Sequence, residues 1–127
     1  MTAKIAQTLI ATVFLLLGGW ALFAPGHVID VAISEAYREN TFLSRFIMAC
    51  FGSQAVLFGI MALVTKWSSR GFAVFAAALL PFFGFNYYFH YEEPVLTSIG
   101  MLDFAGNTVM FILAIAGWRA ARKVEGA

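Results

Sequence analysis

The stretch FLSRFIMACFGSQAVLFGIMALV, residues Phe42 to Val64, decides the fold class of this chain. Its only charged side chain is Arg45. A helix of about 20 residues, rising about 1.5 Å per residue, crosses a hydrocarbon core roughly 30 Å thick. Three more apolar runs of similar length are Ile5 to Phe23, Phe72 to Phe89 and Val95 to Trp118. The sequence therefore predicts an all-α fold, an integral membrane four-helix bundle with spans at these four positions.

The composition assigns the whole chain to one membrane domain. Hydrophobic residues make up 61% and charged residues 12% of the 127 residues, which is far from the profile of a soluble domain. The longest stretch outside the runs, residues 24–41, is too short for a separate catalytic domain. Residues 1–127 are thus predicted to form a single transmembrane domain. The net charge of +1 and the absence of a long basic stretch argue against a nucleic-acid partner.

Few residues suggest a metal, a cofactor or catalysis. Cys50 is the only cysteine, which excludes an intrachain disulfide, a CxxC pair and a thiolate zinc site. The chain has two histidines and no Glu-x-x-His pattern of the di-iron bundles. No catalytic residue, metal site or cofactor is therefore predicted, and the favoured interpretation is a protein that is not an enzyme. An enzyme that uses His90 with Glu92 and Glu93 stays open as an alternative.

Lysine and arginine side chains near the ends of the runs predict the orientation of the chain. Loops rich in these residues are retained on the cytoplasmic side of a membrane. They precede the first run, fill the loop between the second and third, and follow the fourth: Lys4, Lys66, Arg70, Arg119, Arg122 and Lys123. The other connections are more acidic and include Glu92 and Glu93. Both termini are predicted to be cytoplasmic, in a multi-pass protein of a bacterial inner membrane.

The connection between the first two runs has a helical pattern of its own. Pro25 and Gly26 end the first run. Polar residues then alternate at helical spacing with an apolar stripe. The stripe consists of Val28, Ile29, Ala32, Ile33, Ala36 and Tyr37. A short interfacial helix is predicted here, between spans 1 and 2. The first run itself is interpreted mainly as an anchor.

Small residues within the runs predict where helices approach each other. Lipid provides no hydrophobic force between helices, so close packing and interhelical hydrogen bonds drive their association. Gly52 and Gly59 lie on one stripe of the second run, and Gly18 and Gly19 are neighbours in the first. Gln54, also in the second run, is predicted to bond across a helix seam rather than to bind a substrate.

Polar residues within the runs form a candidate site. Counted from the predicted outer ends of the spans, Arg45, Asn86 and Asp103 lie at a similar depth, and Asn107 lies one turn deeper. A carboxylate that faces hydrocarbon costs roughly 2.5–3.5 kcal/mol, so Asp103 is predicted to face inward and to pair with Arg45, with Asn86, Asn107 or Tyr87 completing the donors. With His90 from the adjoining aromatic segment, these residues are the predicted cluster. Its role, structural or ligand-binding, is open at this point.

The chain resembles small four-span bacterial membrane proteins of the DoxX-like type and their uncharacterised relatives. The resemblance rests on the segment Leu15 to Pro25, the amphipathic external segment, the second span with Arg45, and the fourth span with Asp103 and Asn107. It covers most of the chain in layout. It implies a helical bundle in an inner membrane and assigns no function to any residue.

Two functions follow from these features. The first is an accessory or scaffolding subunit that packs against a larger membrane complex or a second copy of itself, because apolar faces are plentiful and no cofactor motif is present. The alternative is a binder or transporter of a lipid, a quinone or a small ion through the polar cluster near the outer side. The predicted partners are the lipid bilayer and other membrane subunits or a second copy.

Overall fold

The computed structural model describes residues 1–127 and contains helices without strands. The five α-helices are α1 (Ala3–Phe23), α2 (Pro25–Ala32), α3 (Phe42–Val64), α4 (Ser69–Tyr87) and α5 (Leu102–Glu125). Two short turns are a 3-10 turn (Glu35–Tyr37) and a π-helical turn (Tyr88–Glu92). Four helical stretches are long and apolar enough to span a membrane: Ala3–Phe23, Phe42–Val64, Ser69–Glu92 and Leu102–Glu125. The all-α prediction is confirmed.

Short polar side chains begin three of the long helices. The first N–H groups of a helix have no partner inside it, and a hydroxyl oxygen just before the helix can accept from them. Thr2 accepts from the Ile5 N–H, and Ser68 accepts from the Gly71 N–H. Before α3, the Thr41 hydroxyl accepts from the Ser44 N–H while the Ser44 hydroxyl accepts from the Thr41 N–H. These caps place the helix starts close to the predicted ones.

The first long helix lies at the centre of the bundle. α1 packs against α3 on one side and α5 on the other, and α4 packs against α5. Across the bundle the order is therefore α3, α1, α5, α4. The outer helices α3 and α4 have no extended contact with each other. The interpretation of the first run as mainly an anchor is wrong, because α1 connects the two halves of the bundle.

Glycines bring α1 and α3 close together. A Cβ atom added to Gly52 would lie 2.6 Å from the carbonyl oxygen of Gly18, and one added to Gly59 would lie 2.9 Å from Leu15 Cγ. Real Cβ atoms almost never approach other atoms so closely. By contrast, nothing lies within 4 Å of a Cβ at Gly19. The predicted contact therefore uses Gly18, Gly52 and Gly59, but not Gly19.

The surface of the bundle is largely apolar. Only 23 of the 127 residues are buried, with Ile10 and Phe72 among the fully buried ones. Many large apolar side chains lie on the outside, including Phe42, which is 81% exposed, and Leu16, which is 69% exposed. A soluble monomer rarely exposes apolar surface on this scale. The length, composition and exposed faces of the four helices therefore fit a multi-pass membrane protein.

A compact cap covers one end of the bundle. It consists of α2, the 3-10 turn, the π-helical turn and the connection from that turn to α5. The predicted short helix between spans 1 and 2 is present as α2, whose Val28, Ile29 and Ala32 are buried. The chain that follows it forms an isolated β-bridge between Ile33 and Leu96. The cap thus joins α2 to the connection between α4 and α5.

The cap delays the start of the last helix. The Ser34 N–H donates to the Val95 carbonyl (2.7 Å), and the Thr97 N–H donates to the Ala32 carbonyl (2.9 Å). These bonds hold the chain after Pro94 out of a helix. The prediction that the fourth span begins at Val95 is therefore wrong, because α5 begins at Leu102.

Candidate ligand-binding site

Three polar side chains meet where α4 packs against α5. Asn86 Nδ2 donates to Asp103 Oδ2 at 2.9 Å, and Asn107 Nδ2 donates to the same oxygen at 3.2 Å. Asn107 Nδ2 also donates to Asn86 Oδ1 at 3.0 Å. Asn86 and Asn107 are buried, and Asp103 is half-buried. These three residues are referred to below as the Asn–Asp–Asn cluster.

The helices explain how Asp103 is tolerated. Asp103 lies in the first turn of α5, where the free N–H groups and the helix dipole favour a negative charge. Asn107 lies four residues later and so shares a helix face with Asp103. Asn86 lies near the end of α4, the helix that packs on α5. Two amide donors and a helix N-terminus thus replace the cation that the sequence analysis expected.

The predicted pairing of Arg45 with Asp103 is wrong. Arg45 Nη1 donates to Asn40 Oδ1 at 3.0 Å, and Asn40 Nδ2 donates to Asp30 Oδ1 at 2.8 Å. This network joins the start of α3 to α2. Arg45 and Asp103 lie near the starts of α3 and α5, but α1 separates these two helices. A similar depth along the bundle therefore did not bring them together.

His90 also lies outside the Asn–Asp–Asn cluster. Its Nδ1 is 2.9 Å from the carbonyl oxygen of Leu96, so this nitrogen carries the proton and donates. The bond links the π-helical turn to Leu96, the residue that pairs with Ile33. No group of three or more His, Cys, Asp or Glu side chains lies close enough together to hold a metal ion. His90 is thus a residue of the cap in this arrangement.

The cap contains a second polar link between distant segments. The Tyr37 hydroxyl donates to Glu93 Oε2 at 2.9 Å. This hydrogen bond to a carboxylate, with smaller effects of desolvation and of the Glu93 charge, raises the pKa of Tyr37 above its usual value of 10.0. The 3-10 turn is in this way attached to the residue that follows the π-helical turn.

Two oxygen atoms of the Asn–Asp–Asn cluster accept no hydrogen bond from the protein. Asp103 uses only Oδ2, and Asn107 uses only Nδ2, so Asp103 Oδ1 and Asn107 Oδ1 are unused. Every buried side-chain nitrogen or oxygen has a partner. The two unused oxygens therefore lie at accessible surface rather than in closed packing.

Asp103 and Asn107 line a cavity of about 370 Å³. All four long helices line it, and 11 of its 15 lining residues are hydrophobic, so it is apolar except around the cluster and Gln54. Three aromatic rings in the lining contact one another, with ring centroids 4.7 Å apart for Phe14 and Phe58 and 6.0 Å apart for Phe58 and Phe75. Asp103 and Asn107 line the α5 side. The cavity occupies the space between α3 and α4.

Gln54 lines the cavity from α3. Its amide makes no hydrogen bond with the protein, and the residue is exposed. The prediction that it bonds across a helix seam is wrong. The cavity therefore carries polar groups on two walls, with the charged group on α5 and a neutral amide on α3.

Gln7 is a buried polar residue that the sequence analysis missed. Its Nε2 donates to the carbonyl oxygens of Ala62 (2.6 Å) and Thr65 (2.7 Å), and its Oε1 accepts from the Trp67 N–H (3.0 Å). These backbone groups lie where α3 ends and have no helical partner. A lone amide within the apolar first run was the available signal. Its role is to hold the end of α3 against α1.

No family model, curated protein or solved structure matches the chain. The resemblance to DoxX-like proteins stays a prediction. The functional argument therefore rests on the cavity and the cluster beside it.

Proposed function

We propose that this chain is a multi-pass protein of a bacterial inner membrane, with cytoplasmic termini, that binds a small lipid-soluble molecule between its helices. One observation carries the proposal: a largely apolar cavity of about 370 Å³ reaches a carboxylate with an unused oxygen, Asp103 Oδ1. Ligand sites are commonly apolar spaces with a few placed polar groups, as this one is.

The apolar walls and the polar cluster contribute differently to binding. A molecule dissolved in lipid gains little from another apolar environment, because lipid tails are as apolar as the cavity walls. The walls therefore select by shape and size. A hydrogen bond to Asp103 gives a larger energy, since lipid tails offer the ligand no acceptor. Selectivity in this proposal comes from the cluster.

The gap between α3 and α4 is the proposed route into the cavity. These two helices have no extended contact, whereas α1 packs closely on α3. A molecule in the surrounding lipid could thus enter sideways, without unfolding the bundle or crossing the cap.

Cavity filling tests the proposed function. Ala78 lines the cavity from α4, and Val74 lies on the same helix, is 61% exposed and does not line it. Ala78→Trp should reduce the amount of small molecule that co-purifies with the protein, measured by native mass spectrometry in mild detergent. Val74→Trp is the matched control and should retain it. Equal occupancy of both variants, or no bound molecule in the wild type, would refute the proposal.

An accessory or scaffolding role is the second candidate, and α3 favours it. Only 17% of the 18-residue apolar stretch of α3 is buried, against 33% of the corresponding stretches of α1 and α5. Phe46 and Ile47 are among its exposed residues. A partner subunit or a second copy could pack on this face. Cross-linking from a cysteine placed at Ile47, in native membranes, should then capture the same protein in every preparation. A cysteine that forms no cross-link to any protein, as expected for a residue that faces lipid, would contradict the role.

A further inference from the structure

We infer that the cavity selects a lipid-soluble molecule with a cationic, hydrogen-bond-donating headgroup, a protonated amine. The inference rests on the proposed function and adds to it the chemistry of the ligand. It follows from three properties of the site: the charge that faces the cavity, the kind of hydrogen-bonding atoms left free, and the absence of any cation in its lining.

The charge of Asp103 is not compensated by a basic side chain. Both hydrogen bonds that it accepts come from neutral amides, and both reach the same oxygen, Oδ2. Among the residues that line the cavity, Asp103 is the only ionisable one. Arg45, the predicted partner, is bound to Asn40. A ligand thus meets an anionic wall in a space of low polarity, where a charge interaction is strong.

The free atoms on the α5 wall are acceptors. Asn107 Nδ2 points at two oxygens that can only accept, Asp103 Oδ2 and Asn86 Oδ1. The neighbouring acceptors therefore identify this atom as nitrogen, and the remaining atom of the Asn107 amide as oxygen. Asp103 Oδ1 is the second free acceptor. The α5 wall thus offers two oxygens and no donor to a ligand.

This arrangement separates the candidate ligand classes. A quinone carbonyl, a carboxylate or a phosphate would place an oxygen against oxygens, and the last two would add a second negative charge. A hydroxyl could donate one hydrogen bond but has no charge. An ammonium group has three N–H donors and a positive charge, which matches both free acceptors and the carboxylate. An amine with an apolar body is the class that uses both free acceptors and the charge of the α5 wall.

Three probes with the same alkyl chain test the headgroup: dodecylammonium, dodecanol and dodecanesulfonate. Each is radiolabelled and equilibrated with protein in nanodiscs of zwitterionic lipid at neutral pH. Specific binding is the amount taken up beyond that of Ala78→Trp discs, whose cavity is filled. Both headgroups can donate to the carboxylate, but only the ammonium adds the attraction between opposite charges. Dodecylammonium should therefore bind about tenfold more tightly than dodecanol, and dodecanesulfonate more weakly still.

Asp103→Asn separates charge from shape. The asparagine oxygen can still accept from Asn86 and Asn107, so the cluster can close, while the negative charge is lost. This variant should bind dodecylammonium about tenfold less tightly, and dodecanol, which carries no charge, should lose a smaller factor. Retained dodecanol binding also shows that the variant has kept its cavity.

The outcomes distinguish this inference from the proposed function. Equal binding of all three probes, blocked in each case by Ala78→Trp, would leave the cavity as a binding site and overturn the selection of a cation. Undiminished binding of dodecylammonium to Asp103→Asn would overturn it too. If Ala78→Trp changed the uptake of no probe, the proposed function itself would fail, and the inference with it.

Discussion

Gln7 and Asp103 are both polar residues inside apolar helices, but their surroundings differ. Gln7 is 2% exposed, and its amide makes hydrogen bonds with three backbone groups at the end of α3. The Asp103 side chain is half-buried, accepts only from side chains, has one oxygen without a hydrogen bond, and lines a cavity. Gln7 lies where α1 packs closely on α3, whereas Asp103 faces the gap between α3 and α4.

The difference separates a polar group that holds a fold from one that is available to a ligand. Backbone groups at a helix end must be satisfied in every state of the protein, so a side chain that serves them has no capacity for anything else. A carboxylate with a free oxygen has such capacity. Three predictions test this distinction, beginning with the largest effect, and a fourth concerns the cap.

Gln7→Leu should have the largest effect on stability. The leucine has a similar volume but leaves two carbonyls and one N–H without their partner at the end of α3. Unsatisfied buried groups cost about 1–3 kcal/mol each, and part of this cost is recovered through water near the loop. The free energy of unfolding should fall by about 3 kcal/mol, as measured by denaturant titration in detergent.

Gln54→Leu is the matched control for Gln7→Leu. It is the same substitution in another apolar helix, at a residue that is exposed and has no hydrogen-bond partner. It should change the free energy of unfolding by less than about 0.5 kcal/mol. Similar losses in the two variants would show that Gln7 has no special structural role.

Gly52→Ala should disrupt the close contact of α1 with α3. The new methyl group would meet backbone atoms of Gly18 and Ala21, which cannot rotate away. Overpacking of this kind costs about 1–3 kcal/mol, so a loss of about 2 kcal/mol in unfolding free energy is expected. Gly19→Ala, with open space around the added atom, should be neutral or slightly stabilising. Equal effects would mean that α1 and α3 are not closely packed.

Asp103→Asn should change stability less than either of these variants, by under about 1 kcal/mol, because the asparagine can still accept from both amides. The expected loss appears instead in the preference for dodecylammonium. Gln7→Leu should show the reverse, with reduced stability and an unchanged preference in the folded fraction. Chemical unfolding and probe uptake on the same samples give both values. A large loss of stability in Asp103→Asn would make Asp103 a structural residue like Gln7.

The smallest effect is expected at the cap, outside both regions. The hydrogen bond to Glu93 raises the pKa of Tyr37 in the folded protein, so the folded state holds this proton more tightly than the unfolded state. The associated stability is complete below about pH 10 and is lost as the pH rises through the raised pKa. Ultraviolet absorbance of tyrosinate, compared with a Tyr37→Phe sample, measures this pKa.

Glu93→Gln removes the charge that raises the pKa of Tyr37. In this variant the pKa of Tyr37 should fall toward 10.0, because a neutral amide holds the phenol proton less strongly than a carboxylate does. A pKa that did not differ between wild type and Glu93→Gln would show that the two segments of the cap are not joined in solution.

The candidate site was predictable from the sequence in part. Asp103 and Asn107 lie four residues apart, so one helix face carries both, and a polar residue in an apolar run needs a partner. Asn86 and Asn107 were among the predicted donors and do bond to Asp103, but the predicted cation does not. Arg45 fitted by charge and depth, but it lies on α3, whereas Asn86 is on the helix that packs against α5. Depth along a span is a local property, whereas adjacency depends on the order of helices in the bundle.

The start of α5 shows a second limit. Hydrophobicity continues from Val95 into the helix, so the apolar run by itself does not mark the boundary at Leu102. Hydrogen bonds between this segment and the end of α2 hold it out of the helix, and they join residues about 60 positions apart. This later start places Asp103 in the first turn of α5, where the helix N-terminus stabilises its charge.

The sequence alone determined the helices that are long and apolar enough to span a membrane, and the cap helix between the first two. These are consequences of local composition and periodicity, because a segment of about 20 apolar residues satisfies its own backbone only as a helix in lipid. Tertiary structure alone decided the central position of α1, the pairing of Asp103 with two asparagines, and the open space beside α3 and α4. Such features depend on how distant helices pack, which no local pattern specifies.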